Sequence, residues 1–131
     1  MPYLLDTCAI LFIAQPTGDL SAATVKLLAT APAEEVFVSA ISVAELACLQ
    51  EGGRITLKQH WRSWWNGMLQ RTAWTCLSIT GEIMSEAYSL PPPIHRDPAD
   101  RVLIATARLE HLTLVTTDGK IRGYPHVTTI A

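Results

Sequence analysis

The chain has 131 residues, 49% of them hydrophobic and 17% charged, with a formal net charge of −2. That length and apolar content suffice for a sizeable core, and the lack of any composition break predicts one domain over residues 1–131. The charge excludes a broad basic surface for general nucleic-acid binding, but not a local basic rim around an acidic pocket.

No run reaches the length of a membrane span and nothing resembles a signal peptide; Met1-Pro2 leads directly into a strand. The three cysteines, Cys8, Cys48 and Cys76, are odd in number and lack C-x-x-C spacing. Each lies in an apolar segment, so the expectation is buried thiols and a reducing, cytoplasmic setting.

Tyr3-Leu4-Leu5 is a wholly apolar run ending in Asp6-Thr7, which fits a parallel strand covered on both faces. A helix is expected from Cys8 to Ala14, stopped by Pro16-Thr17-Gly18. A second is expected from Ser21 to Ala31, with Val25, Leu27 and Leu28 inward. Val36 to Ser39 reads as the next buried strand. Ser42-Val43-Ala44-Glu45 has the S-x-x-E form of a capping box, placing Glu45 in the first turn of a helix that Gly52-Gly53 ends. On that reading the Glu45 carboxylate does no more than cap the Ser42 N–H.

Lys58 to Arg71 reads as a helix holding Trp61, Trp64 and Trp65, with Trp74 just after. Its aromatic and basic content fits a stacking surface for single-stranded nucleic acid. Packing onto the core or another chain is the preferred reading, because tryptophan and arginine are also enriched at protein interfaces. Trp61, Trp64 and Trp65 share one helical face and Arg62 turns away from it. Thr75 to Ile79 reads as a third strand, and Thr80 caps a helix from Gly81 to Leu90.

Pro91-Pro92-Pro93 then stops the chain before I-H-R-D-P-A-D-R-V-L-I-A-T-A. Asp97 suits a helix N-cap, Pro98 the first helical position, and Asp100 the third, near the positive end of the helix dipole. Val102, Leu103, Ala105, Thr106 and Leu109 form its apolar stripe. Leu112 to Thr117 is a fourth strand ending on Asp118, whose turn leads to a short helical stretch reaching Arg122. Val127 to Ile130 is a last strand.

Alternating strands and helices imply a parallel sheet with helices on both faces, and ligands bind such sheets outside the carboxyl ends of the strands. Asp6 and Asp118 lie at strand ends, and Glu45 and Asp100 near helix starts. If the first, second and fourth strands are neighbours, these carboxylates meet at one edge. Clustered carboxylates either take up protons or hold a cation. Their hard oxygens, without thiolate or paired histidine, fit Mg²⁺ or Mn²⁺. Such a site suits phosphodiester hydrolysis. No serine–histidine–acid motif, Gly-rich phosphate loop or dinucleotide fingerprint competes.

L-L-D-T at Asp6, S-x-x-E-L at Glu45, D-P-A-D-R-V-L-I-A-T-A at Asp100 and V-T-T-D at Asp118 occur in an order that resembles PIN-domain ribonucleases, above all the VapC-type toxins of toxin–antitoxin modules. The resemblance spans almost the whole chain. It implies a three-layer α/β fold with a five-stranded parallel sheet of order 3-2-1-4-5. It implies a Mg²⁺- or Mn²⁺-dependent endoribonuclease, held inactive by a cognate antitoxin and usually a homodimer. Asp6, Glu45, Asp100 and Asp118 take its four catalytic and metal-binding positions. Thr116 matches a supporting hydroxyl, Thr7 is a further candidate support, and Asp97 belongs to a D-P-x-D-R form found in one branch. Cys8 departs from the polar residue of many relatives. Arg54, Arg62, Arg96 and Arg101 are candidate RNA contacts.

Two alternatives belong to another class: a receiver-like regulatory module, and a PIN-like domain without catalysis that serves only as an interaction partner. A receiver would pair adjacent acids after the first strand and place a lysine near a late strand's end. Here Asp6 stands alone and Lys120 follows the acid of its own turn. Presence of all four acids opposes the silent alternative.

Overall fold

The structure, a computed structural model, describes residues 2–15, 19–93 and 96–131. The expected helix stop at Pro16, Thr17 and Gly18, and Ile94 and His95 of the stretch before Asp97, lie outside these residues. Five strands, β1 (Tyr3–Leu5), β2 (Val36–Ser39), β3 (Thr75–Leu77), β4 (Thr113–Val115) and β5 (Thr129–Ile130), form one sheet of order β3-β2-β1-β4-β5. All pairings are parallel. The helices are α1 (Thr7–Ala14), α2 (Ala22–Thr30), α3 (Ile41–Glu51), α4 (Trp61–Thr72), α5 (Gly81–Ala87), α6 (Pro98–Leu109) and α7 (Gly119–Arg122).

Strand alternation divides the apolar residues between two layers. Tyr3, Leu5, Val36, Val38 and Val115 share one face with Ala9 and Ile10 of α1, Leu28 of α2, Leu46 of α3 and Trp64, Trp65 and Met68 of α4. Leu4 and Leu114 take the other face, with Leu103, Ile104 and Ala107 of α6. Ile83 and Ala87 of α5 then cover Val102 and Ala105 on the far side of α6. Helix α6 is thus buried on several sides; burying Leu103 or Ile104 stabilises by roughly 1.5–3 kcal/mol each. This clamp fixes the start of α6, where Asp97 and Asp100 stand.

Several local expectations are corrected. Leu27 of α2 is 38% exposed, and Thr24 is buried beside Leu28 instead. Helix α4 starts at Trp61, not Lys58, because Gln50 ties down the loop before it: its Nε2 donates to the Gln59 carbonyl (2.9 Å) and its Oε1 accepts from the Trp61 N–H (2.8 Å). Helix α5 ends at Ala87, short of Leu90. The strands expected over 75–79, 112–117 and 127–130 keep three, three and two paired residues.

Cys8 and Cys48 are exposed and Cys76 half-buried, all as free thiols. An apolar helical run has an outer face, and both exposed cysteines occupy one. Arg62 does not turn away from the tryptophans; its guanidinium carbon lies 5.5 Å from the Trp61 ring centre. Trp64 and Trp65 pack into the core, and Trp61 and Trp74 against its edge.

Candidate active site

Register sets the site. Leu5 of β1 pairs with Val115 of β4, so the next residues, Asp6 and Thr116, emerge side by side at the carboxyl end of the sheet. This is the point at which strand order reverses, where parallel sheets open a crevice. Asp6 is nearly buried and caps α1, its Oδ1 accepting from the Ala9 N–H at 2.7 Å. The fully buried Thr116 hydroxyl bonds the Asp6 carboxylate and also accepts from the Asp118 N–H at 3.1 Å. One hydroxyl therefore joins two acids. Asp118 is exposed and caps α7 through the Lys120 N–H, 2.8 Å from its Oδ1.

Glu45 comes from the second turn of α3, not its first, and no capping box forms. Helix α3 begins at Ile41 after Ala40, which makes no side-chain cap, and Ser42 lies fully buried inside the helix. Ser42 Oγ stands 2.9 Å from Thr7 Oγ1, and the Thr7 hydroxyl bonds Glu45 Oε1. With its single proton given to Glu45, Thr7 accepts from Ser42. This contact between α1 and α3 takes the place of the capping box, and the start of α3 is met instead by Ser39, whose Oγ accepts from the Ile41 N–H at 3.1 Å.

Asp97 is the N-cap of α6, its Oδ1 accepting from the N–H groups of Ala99 (2.9 Å) and Asp100 (3.4 Å). Asp6, Thr7, Cys8, Glu45, Asp97, Asp100, Leu103, Thr117 and Asp118 together line one pocket of about 260 Å³. All four predicted acids and the two supports Asp97 and Thr7 are thus brought together, with Thr116 directly beneath.

The electrostatics follow from that crowding. Burial raises the Asp6 carboxyl above its usual range, opposed by the Thr116 and Ala9 hydrogen bonds and reinforced by Asp118. Burial likewise raises Glu45, with Thr7 opposing it and Asp97 and Asp6 adding to it. Asp100 is pushed up to about 7, by burial first and then by Asp97, Asp118, Glu45 and Asp6. Partial desolvation, and then the charges of Asp6, Glu45, Asp118 and Asp100, push the Cys8 thiol up to about 11. A neutral thiol leaves carboxylate and hydroxyl oxygens as the donors, a hard set matching Mg²⁺ or Mn²⁺. Among the described residues no group of three or more His, Cys, Asp or Glu side chains is placed to hold a metal ion. The acids line an open pocket instead, which suits an ion that keeps some of its waters.

No candidate RNA-contacting arginine lines this pocket. Arg101 lies over the Tyr88 ring at 4.8 Å, with Nη1 3.4 Å from the Ala87 carbonyl. Arg96 and Arg54 are exposed, Arg54 beyond the far end of α3. Sequence reasoning missed Ser42 and Thr117. Ser42 had a signal, since it lies one turn before Glu45 and shares its helical face.

A parallel α/β sheet with five carboxylates in a pocket at its topological switch defines the class: an α/β protein with an acidic strand-end ligand site. The sequence profile of the PIN domain matches residues 3–127, and the chain belongs to that family. It is 37% identical to ribonuclease VapC22 of Mycobacterium tuberculosis over 94 residues, 72% of this chain and 71% of that one. Among solved structures it resembles VapBC2 of Rickettsia felis bound to a promoter DNA fragment (TM-score 0.69, 20% identity, 98% and 97% of the two chains). It also resembles a toxin–antitoxin complex from Klebsiella pneumoniae (TM-score 0.65, 21% identity, 98% and 96%). FitAcB of Neisseria gonorrhoeae is similar too (TM-score 0.65, 23% identity, 98% and 96%).

Proposed function

We propose that this chain is a Mg²⁺- or Mn²⁺-dependent endoribonuclease, acting as one domain, and the toxin of a toxin–antitoxin pair. The observation that carries the reading is the pocket itself: Asp6, Glu45, Asp100 and Asp118 reach it from four elements, and burial together with neighbouring carboxylates raises the proton affinity of Asp6, Glu45 and Asp100. The kinship to a protein named ribonuclease VapC22 supports the RNA substrate. Neighbours solved as toxin–antitoxin complexes support an antitoxin partner. A homodimer and a cytoplasmic setting belong to the same proposal.

Asp6, Asp100, Glu45 and Asp118 would hold the ion. When bound, it lowers the pKa of a water and stabilises the leaving oxygen of a phosphodiester. The chain's own part is orientation. Thr116 and the Ala9 N–H fix Asp6, Thr7 fixes Glu45, and Asp97 frames the start of α6 so that Asp100 faces the pocket.

The test is cleavage of RNA by purified protein in Mg²⁺ or Mn²⁺. Asp6→Asn and Asp100→Asn should each lower the rate by roughly 100-fold or more while the fold persists, and chelator should abolish it. Full activity in either variant refutes the reading.

A further inference from the structure

A second pocket, of about 380 Å³, opens between the end of α1 and the start of α4, lined by Ala14, Gln15, Lys58, Gln59, Trp64 and Arg71. It contrasts with the first in charge: two cations and no carboxylate among its described lining residues. Lys58 and Arg71 are exposed, and neither side chain forms an ion pair among the described residues. The other well-placed arginines are committed elsewhere, Arg108 to Glu86 and Arg101 to Tyr88.

Helix α4 aims one of these cations. Trp64 and Arg71 are seven residues apart and fall on one helical stripe. Between them stands Gly67, where an added Cβ would lie 3.1 Å from Arg71 Nη1. The Arg71 side chain therefore lies back over Gly67, toward Trp64, in space that a larger residue would restrict. Trp64 is buried and lines the same pocket as the two cations.

Helix α1 connects the two pockets. Thr7 and Cys8 line the acidic one and Ala14 the basic one. Seven helical rises of about 1.5 Å separate their ends by roughly 10 Å. That span covers about three nucleotides at the ~3.4 Å rise of a stacked strand.

We propose that Lys58 and Arg71 form a phosphate-binding subsite for single-stranded RNA, holding the strand where it leaves the acidic pocket along α1. The inference rests on the nuclease reading of that pocket and names the path its substrate takes. A polyanion is favoured over a protein segment because the pocket presents two exposed cations and, among its described lining residues, no carboxylate to balance them. Single-stranded binders combine such charges with aromatic walls.

The test uses a fluorescent ten-nucleotide oligouridylate and the Asp6→Asn background, in which the strand stays intact. Binding is followed by anisotropy over a salt series, for that background and with Lys58→Gln and Arg71→Gln added. Losing two phosphate contacts should weaken binding by about tenfold and reduce the slope of log K against log salt by about 1.4. In the protein with Asp6 intact, Lys58→Gln with Arg71→Gln should raise KM for the decamer and leave kcat unchanged. Unchanged affinity and slope overturn the subsite, as does a loss of affinity with no change in slope. Loss of binding to an antitoxin peptide with RNA binding intact assigns the pocket to a protein and also overturns it. RNA binding that needs both cations, from a chain that never cleaves RNA, refutes the nuclease reading and leaves the subsite standing.

Discussion

Asp100→Asn offers a test that separates the electrostatics of the acidic pocket from its chemistry. In the metal-free protein Asp100 holds its proton up to about 7, against an ordinary 3.8. The folded state therefore binds that proton more tightly than the unfolded state. Linkage fixes the sign: stability falls as pH rises from about 4 to 7, and the whole penalty persists above 7. Taken at full value the interval corresponds to about 4 kcal/mol. The carboxyl is half-exposed and solvent screens it, so about 1–2 kcal/mol is the expected cost. Asparagine keeps the shape and removes the charge.

The variant should accordingly match wild type near pH 4 and exceed it by about 1–2 kcal/mol at pH 8 in chelator, or about 4–8 °C in Tm. Divalent cation should reverse the order. Saturating ion stabilises whatever binds it, by about 2.7 kcal/mol at one hundred times Kd, and wild type should gain more than the variant. Thermal unfolding across pH, with and without Mn²⁺, reads all of this. The reasoning is refuted if the variant is no more stable than wild type at pH 8 in chelator. It is refuted equally if Mn²⁺ raises both melting temperatures alike.

Asp97→Ala should cost about 1 kcal/mol through loss of the α6 cap, while Asp97→Ser keeps the cap and most of the cleavage rate; an Asp97→Ser protein as inactive as Asp100→Ser would make Asp97 a ligand instead. Thr116→Val leaves the Asp118 N–H and the Asp6 carboxylate each short of a partner and should cost about 1–3 kcal/mol in urea unfolding, with Thr116→Ser restoring most of it. Trp65→Ala should destabilise by about 3–5 kcal/mol as a core cavity. Trp61→Ala, at the edge of the core under Arg62, should cost clearly less, and equal losses would contradict their different burial.

Much of the fold was legible because the short strands are wholly apolar. Tyr3-Leu4-Leu5 and Val36-Phe37-Val38 have no polar face to expose, so only a sheet covered on both sides accommodates them. The start of α6 was legible for a different reason. Asp97, Pro98 and Asp100 each satisfy a requirement of a helix N-terminus, and the cap forms as read. The end of α1 was read from a Pro-Thr-Gly signal outside the described residues. The cysteines misled because local hydrophobicity says that a segment packs, not which of its side chains face inward.

The acids of the site were legible one at a time from local motifs, and their meeting only through the family resemblance, which implied the 3-2-1-4-5 strand order. That meeting depends on β1 lying between β2 and β4, a long-range pairing that no local pattern encodes. Ser42 and Glu45 make the point most sharply. S-x-x-E meets every local condition for a capping box, and in solution the isolated segment would gain from forming one. In the folded chain Thr7 arrives from α1 and supplies the Glu45 carboxylate with a buried hydroxyl, while Ser42 supplies Thr7. The cap is displaced because its partners are worth more across the interface, where water does not compete. The same residues that satisfy a local rule thus become the support of a site once the fold brings the Thr7 hydroxyl between them. Thr116, joining Asp6 to Asp118 across two strands, works in the same way. The hydroxyls carry the geometry of this pocket, and their partners are fixed only by tertiary structure.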